Sequence, residues 1–317
     1  KGGYFDVDPD DYCKGAFEVP ERVGTAETGM SQEAVGMSPR FSEAFSRNVV
    51  DVIKDDPRTR WQEIILGNTM DANMSLINYG RVDFSNQLSL FSTALCSNLR
   101  MNTDDQVLLY CYYIMRRHYC SAKGLYLSYH DWLASMAEDV DGRIRFIDIG
   151  CGPATCGIAF AEQMEGLFPN IHYTGIDISV AMKAMAEKML METTGGRMQM
   201  DFKTSLNELD DGYWSSVSEV PNLVVFNMSY FFLNVDCTFT ENLADRIVSV
   251  MRKYPLNRYV FIFQHSDHDT KIRSFLVFKN MLEQYVETIK AERSTFCYEQ
   301  GGNLKTLPFC YEIWKSK

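Results

Sequence analysis

The stretch Arg145-Phe-Ile-Asp-Ile-Gly-Cys-Gly-Pro-Ala-Thr-Cys-Gly157 decides how this chain is read. A short apolar run carrying an acid meets a glycine-rich turn, and a helical pattern follows at once. That is the first strand–turn–helix of a nucleotide-binding α/β sheet. Gly150 and Gly152 remove side chains where the backbone turns sharply and a ligand must come close. A helix beginning near Pro153 or Ala154 offers unpaired N–H groups as a polar floor for a cofactor.

A pyrophosphate binder needs a small residue at the position occupied here by Thr155, and gains nothing from the negative charge of Asp148. A cofactor with an amino group and a sulfonium would gain from that charge. The string Asp148-Ile-Gly150-Cys-Gly152-Pro-Ala154 resembles the first motif of class I S-adenosylmethionine (SAM) methyltransferases, acid-x-Gly-x-Gly-x-Gly, with Ala154 replacing the last glycine. The resemblance extends over residues 143–317. It implies SAM as cofactor and a seven-stranded, mostly parallel α/β sheet closed by an antiparallel hairpin. Asp148, Gly150, Cys151 and Gly152 are the cofactor contacts it implies at the first turn.

The order of elements fits. His172-Tyr-Thr-Gly-Ile-Asp177 is a second strand ending in an acid. The resemblance makes Asp177 the ribose ligand, with Ile178 beside it at the cofactor; a lone acid after a strand otherwise caps the next helix, a place that Ser179 can take instead. Met182, Met185 and Met189 follow at helical spacing and are expected to pack in the core. Residues 197–202 form the expected third strand, and Asp201 and Phe202 are expected to border the adenine. Residues 223–230 form a fourth strand whose end, Asn227-Met-Ser-Tyr230, is expected to line the reaction centre. Asn227 and Met228 are placed toward the cofactor and Tyr230 toward the acceptor. Asn-x-x-Tyr is superficially similar to the Asn-Pro-Pro-Tyr of amino-methylating enzymes, but both prolines are absent. Thr238-Phe-Thr-Glu241 predicts a capped helix, residues 259–264 a fifth strand, and residues from about Thr270 through Val286 and Ile289 a long helix. Two final strands, at 294–298 and 309–314, flank Gly301-Gly302.

An acceptor that must lose a proton needs a base. His265 and His268, in Gln264-His-Ser-Asp-His-Asp269 just past the fifth strand, are the candidates. No metal is expected, because hydrated magnesium prefers oxygen ligands. The bland alternative is that Asp267 or Asp269 caps the next helix and the histidines are merely exposed.

The 317 residues are enough for a catalytic domain and an appendage. The division expected is a loose acidic arm over 1–39, a helical cap over 40–142 and the SAM-binding domain over 143–317. Asn102 or Thr103 can cap a helix in that middle region. Its many aromatics, Tyr110, Tyr112, Tyr113, Tyr119, Tyr126, Tyr129 and Trp132, suit either a core or the roof of an acceptor pocket. A formal charge of −11 argues against naked nucleic acid as substrate, though a local basic patch would still permit RNA. Nine cysteines, odd in number and without a C-x-x-C pair, fit reduced thiols in the cytoplasm. There is neither a signal-peptide pattern nor a membrane-spanning apolar run, and the start at Lys1 points to loss of an initiating segment. The expected function is methyl transfer from SAM to a small molecule under the cap. RNA or protein methylation and a non-catalytic binding or assembly role remain open alternatives. An NAD-type oxidoreductase ranks below them, because of Thr155, Asp148 and the terminal strand pair.

Overall fold

The computed structural model describes residues 35–56, 102–167, 170–215, 221–266, 273–300 and 303–317. Seven strands form one sheet: β1 (Ile144–Ile149), β2 (Ile171–Ile176), β3 (Gln199–Lys203), β4 (Leu223–Ser229), β5 (Arg258–Ser266), β6 (Val286–Gln300) and β7 (Asn303–Ser316). Their spatial order is β3-β2-β1-β4-β5-β7-β6. The first five are parallel, while β7 runs antiparallel to both β5 and β6. The order reverses direction at β1, so a crevice opens at the carboxyl ends of β1 and its neighbours. This is the mixed sheet with a terminal hairpin that the sequence implied.

The α-helices among the described residues are α1 (Pro39–Phe45), α2 (Asp51–Lys54), α3 (Thr103–Tyr110), α4 (Arg116–Ser128), α5 (His130–Glu138), α6 (Thr155–Gln163), α7 (Val180–Thr194), α8 (Asp211–Ser215), α9 (Cys237–Lys253) and α10 (Arg273–Leu282). Single π-helical turns join α1 to α2 at Ser46–Val50 and α3 to α4 at Cys111–Met115. One apolar cluster unites α1 through α7 with one face of the sheet, and a second unites α8, α9 and α10 with the other. Strand alternation sorts the residues between them. Phe146, Tyr173, Val225 and Ile262 belong to the first cluster, and Ile147, Phe226, Met228 and Phe263 to the second.

Several local expectations hold. Asn102 caps α3 through a reciprocal capping box with Asp105. Ser179 caps α7, where Met182 and Met189 are buried. Others need correction. The helix expected to run past Ile289 ends at Leu282, and β6 begins at Val286. Val286, Thr288 and Ile289 are β-branched and suit a pleated surface, a preference that apolar spacing alone did not resolve. Helix α9 is capped by Asp236, whose Oδ1 accepts from the Phe239 N–H at 2.7 Å, two residues before the expected Thr238. Residues 1–34 of the expected arm lie outside the described residues. Its end is built into the fold, because the Val35 N–H donates to the Cys297 carbonyl of β6 at 2.8 Å.

Candidate cofactor cleft and reaction edge

The turn after β1 is drawn to the neighbouring strand by two backbone bonds. The N–H groups of Gly150 and Cys151 both donate to the Ile176 carbonyl, at 2.8 and 3.1 Å. Gly150, Gly152 and Ala154 have φ of +71°, +52° and +58°, the left-handed region in which a side chain is strained. The two glycines have different surroundings. A Cβ on Gly150 would sit 2.7 Å from the Phe231 ring, so that glycine admits an aromatic side chain, not a ligand. A Cβ on Gly152 would meet nothing within 4 Å. The open side of the turn is therefore at Gly152.

Asp177 stands beside this opening, half-buried, just past β2. Its Oδ2 accepts from the Gly152 N–H at 3.0 Å and its Oδ1 from the Ser179 N–H at 2.8 Å. Burial pushes its carboxyl up, and those two N–H groups oppose the shift. Each carboxylate oxygen retains a further acceptor position, which is what a vicinal diol requires. Ile178 follows with 55% of its surface exposed, an apolar side chain left uncovered at the edge of the opening. The space over Gly152 and the acceptor capacity of Asp177 fit the ribose-bearing cofactor that the sequence implied.

Asp148 has a different setting from the one its charge suggested. It is buried among donors: the Asn227 Nδ2 donates to Oδ1 at 2.6 Å and the Tyr173 hydroxyl to Oδ2 at 3.1 Å. Burial pushes its carboxyl up to about 6, against the pull of those two hydrogen bonds. It braces the base of the turn. Cys151 is likewise beneath the turn, its Sγ packed with the Phe202 ring over Gly175. Burial pushes that thiol well above its ordinary range.

From Asp148 a polar row crosses the sheet on the face turned toward α4. The Asn227 Oδ1 accepts from the Tyr126 hydroxyl of α4 at 3.1 Å and from the Ser229 hydroxyl at 3.0 Å. The Gln264 Nε2 donates to Ser229 Oγ at 3.1 Å. Tyr230 directly follows β4 with φ of +57° and donates its N–H to the Gln264 carbonyl at 2.7 Å. A non-glycine residue in that region carries backbone strain of the kind that clusters at functional sites. Its ring stacks on His118 of α4, with centroids 3.9 Å apart, and its hydroxyl lies 3.3 Å from the Ser121 hydroxyl. Burial raises the Tyr230 hydroxyl above its ordinary range, so it stays protonated at neutral pH.

Three expected site residues lie elsewhere. Met228 alternates away from Asn227 into the second apolar cluster, fully buried. Asp201 is inside β3, not after it, and is held by His172 Nε2 at 2.7 Å and Lys203 Nζ at 3.0 Å. Burial works against its ionisation, but those two partners outweigh it and lower its carboxyl. The end of β3 instead presents Lys203 and Thr204. His265 alternates away from Gln264 and is wedged between Phe275 and Phe232, at ring distances of 4.5 and 6.2 Å. It is 3% exposed, and neither ring nitrogen has a hydrogen-bond partner. Burial lowers it to about 4, so it is a neutral core imidazole and not a base at the reaction edge. His268 lies outside the described residues, as do Asp267 and Asp269.

His118, Ser121 and Gln264, which no sequence pattern marks, also border the end of β4. Tyr126 stood in the aromatic series as core or roof, and it is both fully buried and bonded to Asn227. Nothing in the local pattern marks His118, because its role depends on where α4 crosses β4.

No protein-family model matches this sequence, and no curated protein matches it. Many solved structures similar to it are class I SAM-dependent methyltransferases. A precorrin-6y C5,15-methyltransferase from Geobacter metallireducens is 11% identical, covering 57% of this chain and 84% of its own, with a TM-score of 0.37. A protein from Listeria monocytogenes described as a class I SAM-dependent methyltransferase is 12% identical over 87% of this chain and 88% of its own, with a TM-score of 0.39. The N-terminal domain of human METTL16, in complex with S-adenosylhomocysteine, is 14% identical over 60% of this chain and 70% of its own, with a TM-score of 0.36. At these scores the fold assignment rests on the strand order and directions themselves.

Proposed function

We propose that the protein is a SAM-dependent methyltransferase that acts on a small molecule held between the carboxyl end of β4 and helix α4. The observation that carries this reading is the junction of Gly152 and Asp177: open space over a positive-φ glycine, bordered by a carboxylate that can still accept two hydroxyl hydrogens. A sulfonium donor bound there supplies an electrophilic methyl carbon and leaves as a neutral thioether.

The chain's own contribution is chiefly position, which can recover about 7–11 kcal/mol of barrier for well-oriented reactants. Tyr230, kept protonated, donates a hydrogen bond to a polar atom of the acceptor and does not abstract its proton. The stacked His118 and Tyr230 rings make a flat wall beside that hydroxyl. Asn227, tied to Asp148 on the adjacent strand β1 and to Tyr126 of α4, fixes the distance between cofactor turn and helix. The proton of an acceptor that needs deprotonation does not go to His265, whose ring faces the opposite side of the sheet.

Incubation with methyl-labelled SAM and a fractionated cell extract tests the acceptor class. Label should appear in the low-molecular-weight fraction. Label confined to RNA or to protein would contradict the small-molecule reading while leaving methyl transfer intact.

A further inference from the structure

Helix α4 brings a third side chain toward the reaction edge. Arg117 precedes His118, which stacks on Tyr230, and lies one helical turn before Ser121, whose hydroxyl is 3.3 Å from that of Tyr230. Residues four apart share a helix face, so Arg117 and Ser121 approach the end of β4 together. The π-helical turn at Cys111–Met115 ends two residues before Arg117. Such turns add a residue to the helix, change its phase and occur frequently at functional sites.

Among the described residues the guanidinium of Arg117 has no hydrogen-bond or ion-pair partner. Its neighbour Arg116 donates to the Tyr112 carbonyl and lies over the Phe45 ring. Arg40, Arg47, Arg143, Arg197 and Arg258 pair with carboxylates, and Arg246 and Arg252 donate to oxygen atoms. Arg145 lies over a ring, and Arg273 and Arg293 have contacts of their own. Among the described residues Arg117 alone of the arginines meets no acceptor, counter-ion or ring. It is nevertheless half-buried, and its Nε is buried without a partner. In a chain of net charge −11, with carboxylates in excess, an unpaired cation on the helix packed against Tyr230 is the unexpected arrangement.

We infer that Arg117 recognises an oxyanion, a carboxylate or phosphate, carried by the small methyl acceptor. The inference rests on the methyltransferase reading above and names the chemistry of its substrate. A planar guanidinium fork pairs bidentately with either group, fixing orientation as well as supplying attraction. Tyr230 and Ser121 then stand one helical turn away to hold a second polar point of the acceptor. Two points define a pose against the flat wall made by the His118 and Tyr230 rings.

The test uses the whole protein with saturating S-adenosylhomocysteine and three probes of one shape: benzoate, phenyl phosphate and neutral benzamide. Binding is followed by ligand-observed NMR. At least one anion should bind roughly tenfold more tightly than benzamide, the order expected of a charge-assisted hydrogen bond. Arg117→Met should abolish that preference and Arg117→Lys should retain part of it, with affinity for S-adenosylhomocysteine unchanged in both. Which anion is preferred identifies carboxylate or phosphate as the group read. Equal binding of all three probes, or a preference that survives Arg117→Met, overturns the inference. So does Arg117-dependent binding of a single-stranded RNA oligonucleotide without binding of either anionic probe. Failure of wild-type protein to bind S-adenosylhomocysteine is a separate result. It overturns the methyltransferase reading, and the anion titration without that ligand still decides whether Arg117 reads an oxyanion.

Discussion

His265 illustrates how a single position in a strand outweighs residue type. A histidine at the carboxyl end of a strand in this fold is chemically attractive, but the two-residue period turns its ring to the aromatic side. Between about pH 6.5 and 4 the unfolded chain takes up a proton at His265 that the folded chain refuses. Folded stability contributed by this residue is therefore lost as pH falls through that window. Asp148 acts in the opposite sense: its carboxyl, raised to about 6, binds a proton in the folded state before the unfolded one, so acidification favours folding there. The Asp148 effect is common to wild type and a His265→Leu variant and cancels in their difference. The variant should be the more stable at pH 7, since it removes two buried unpartnered nitrogens. Its advantage should widen by up to about 3 kcal/mol as pH approaches 4. Urea denaturation across that range checks this, and a pH-independent gap would contradict the buried neutral imidazole.

At the scale of elements, the turn from β1 to α6 divides its two glycines between different tasks. Both have positive φ, so alanine at either costs roughly 1–2 kcal/mol of backbone strain. Gly150→Ala must also displace the Phe231 ring, whereas Gly152→Ala meets only open space. Thermal denaturation should accordingly rank Gly150→Ala below Gly152→Ala. Affinity for S-adenosylhomocysteine should fall at least tenfold in Gly152→Ala, because its methyl group enters the proposed cofactor space. Unchanged affinity in that variant would place the cofactor elsewhere. The turn, the acid after β2 and the final hairpin were all legible in the sequence, because each depends on local pattern and element order. The start of β6 was not, since Val286 and Ile289 fit a helical stripe as well as a strand. Asp201 was misplaced for a related reason: the end of β3 set its role, and two residues of error move a side chain from crevice to strand.

Across the fold, helices α1 to α5 join the sheet through one continuous apolar cluster and a few specific links. Tyr119 stacks on Phe41 at 3.8 Å and hydrogen-bonds Glu162 of α6, which also accepts from the Ser38 hydroxyl at 2.6 Å. Tyr126 reaches Asn227, and Tyr129 approaches Tyr311 of β7 at 3.1 Å between hydroxyls. The aromatic series read in the sequence as core or roof thus divides by residue: Tyr119 and Tyr126 are fully buried, while Tyr110, Tyr112, Tyr113, Tyr129 and Trp132 are partly so. No local pattern could assign those partners, which lie 43 to 182 residues away in the chain. This assembly frames the space over Gly152 beside Asp177. Calorimetric titration of wild type and Asp177→Ala with SAM and S-adenosylhomocysteine tests cofactor binding there most directly. Wild type should bind both ligands with micromolar affinity, and the variant should lose at least tenfold while remaining folded. Folded wild-type protein that binds neither ligand, or an Asp177→Ala variant that binds both undiminished, would contradict it.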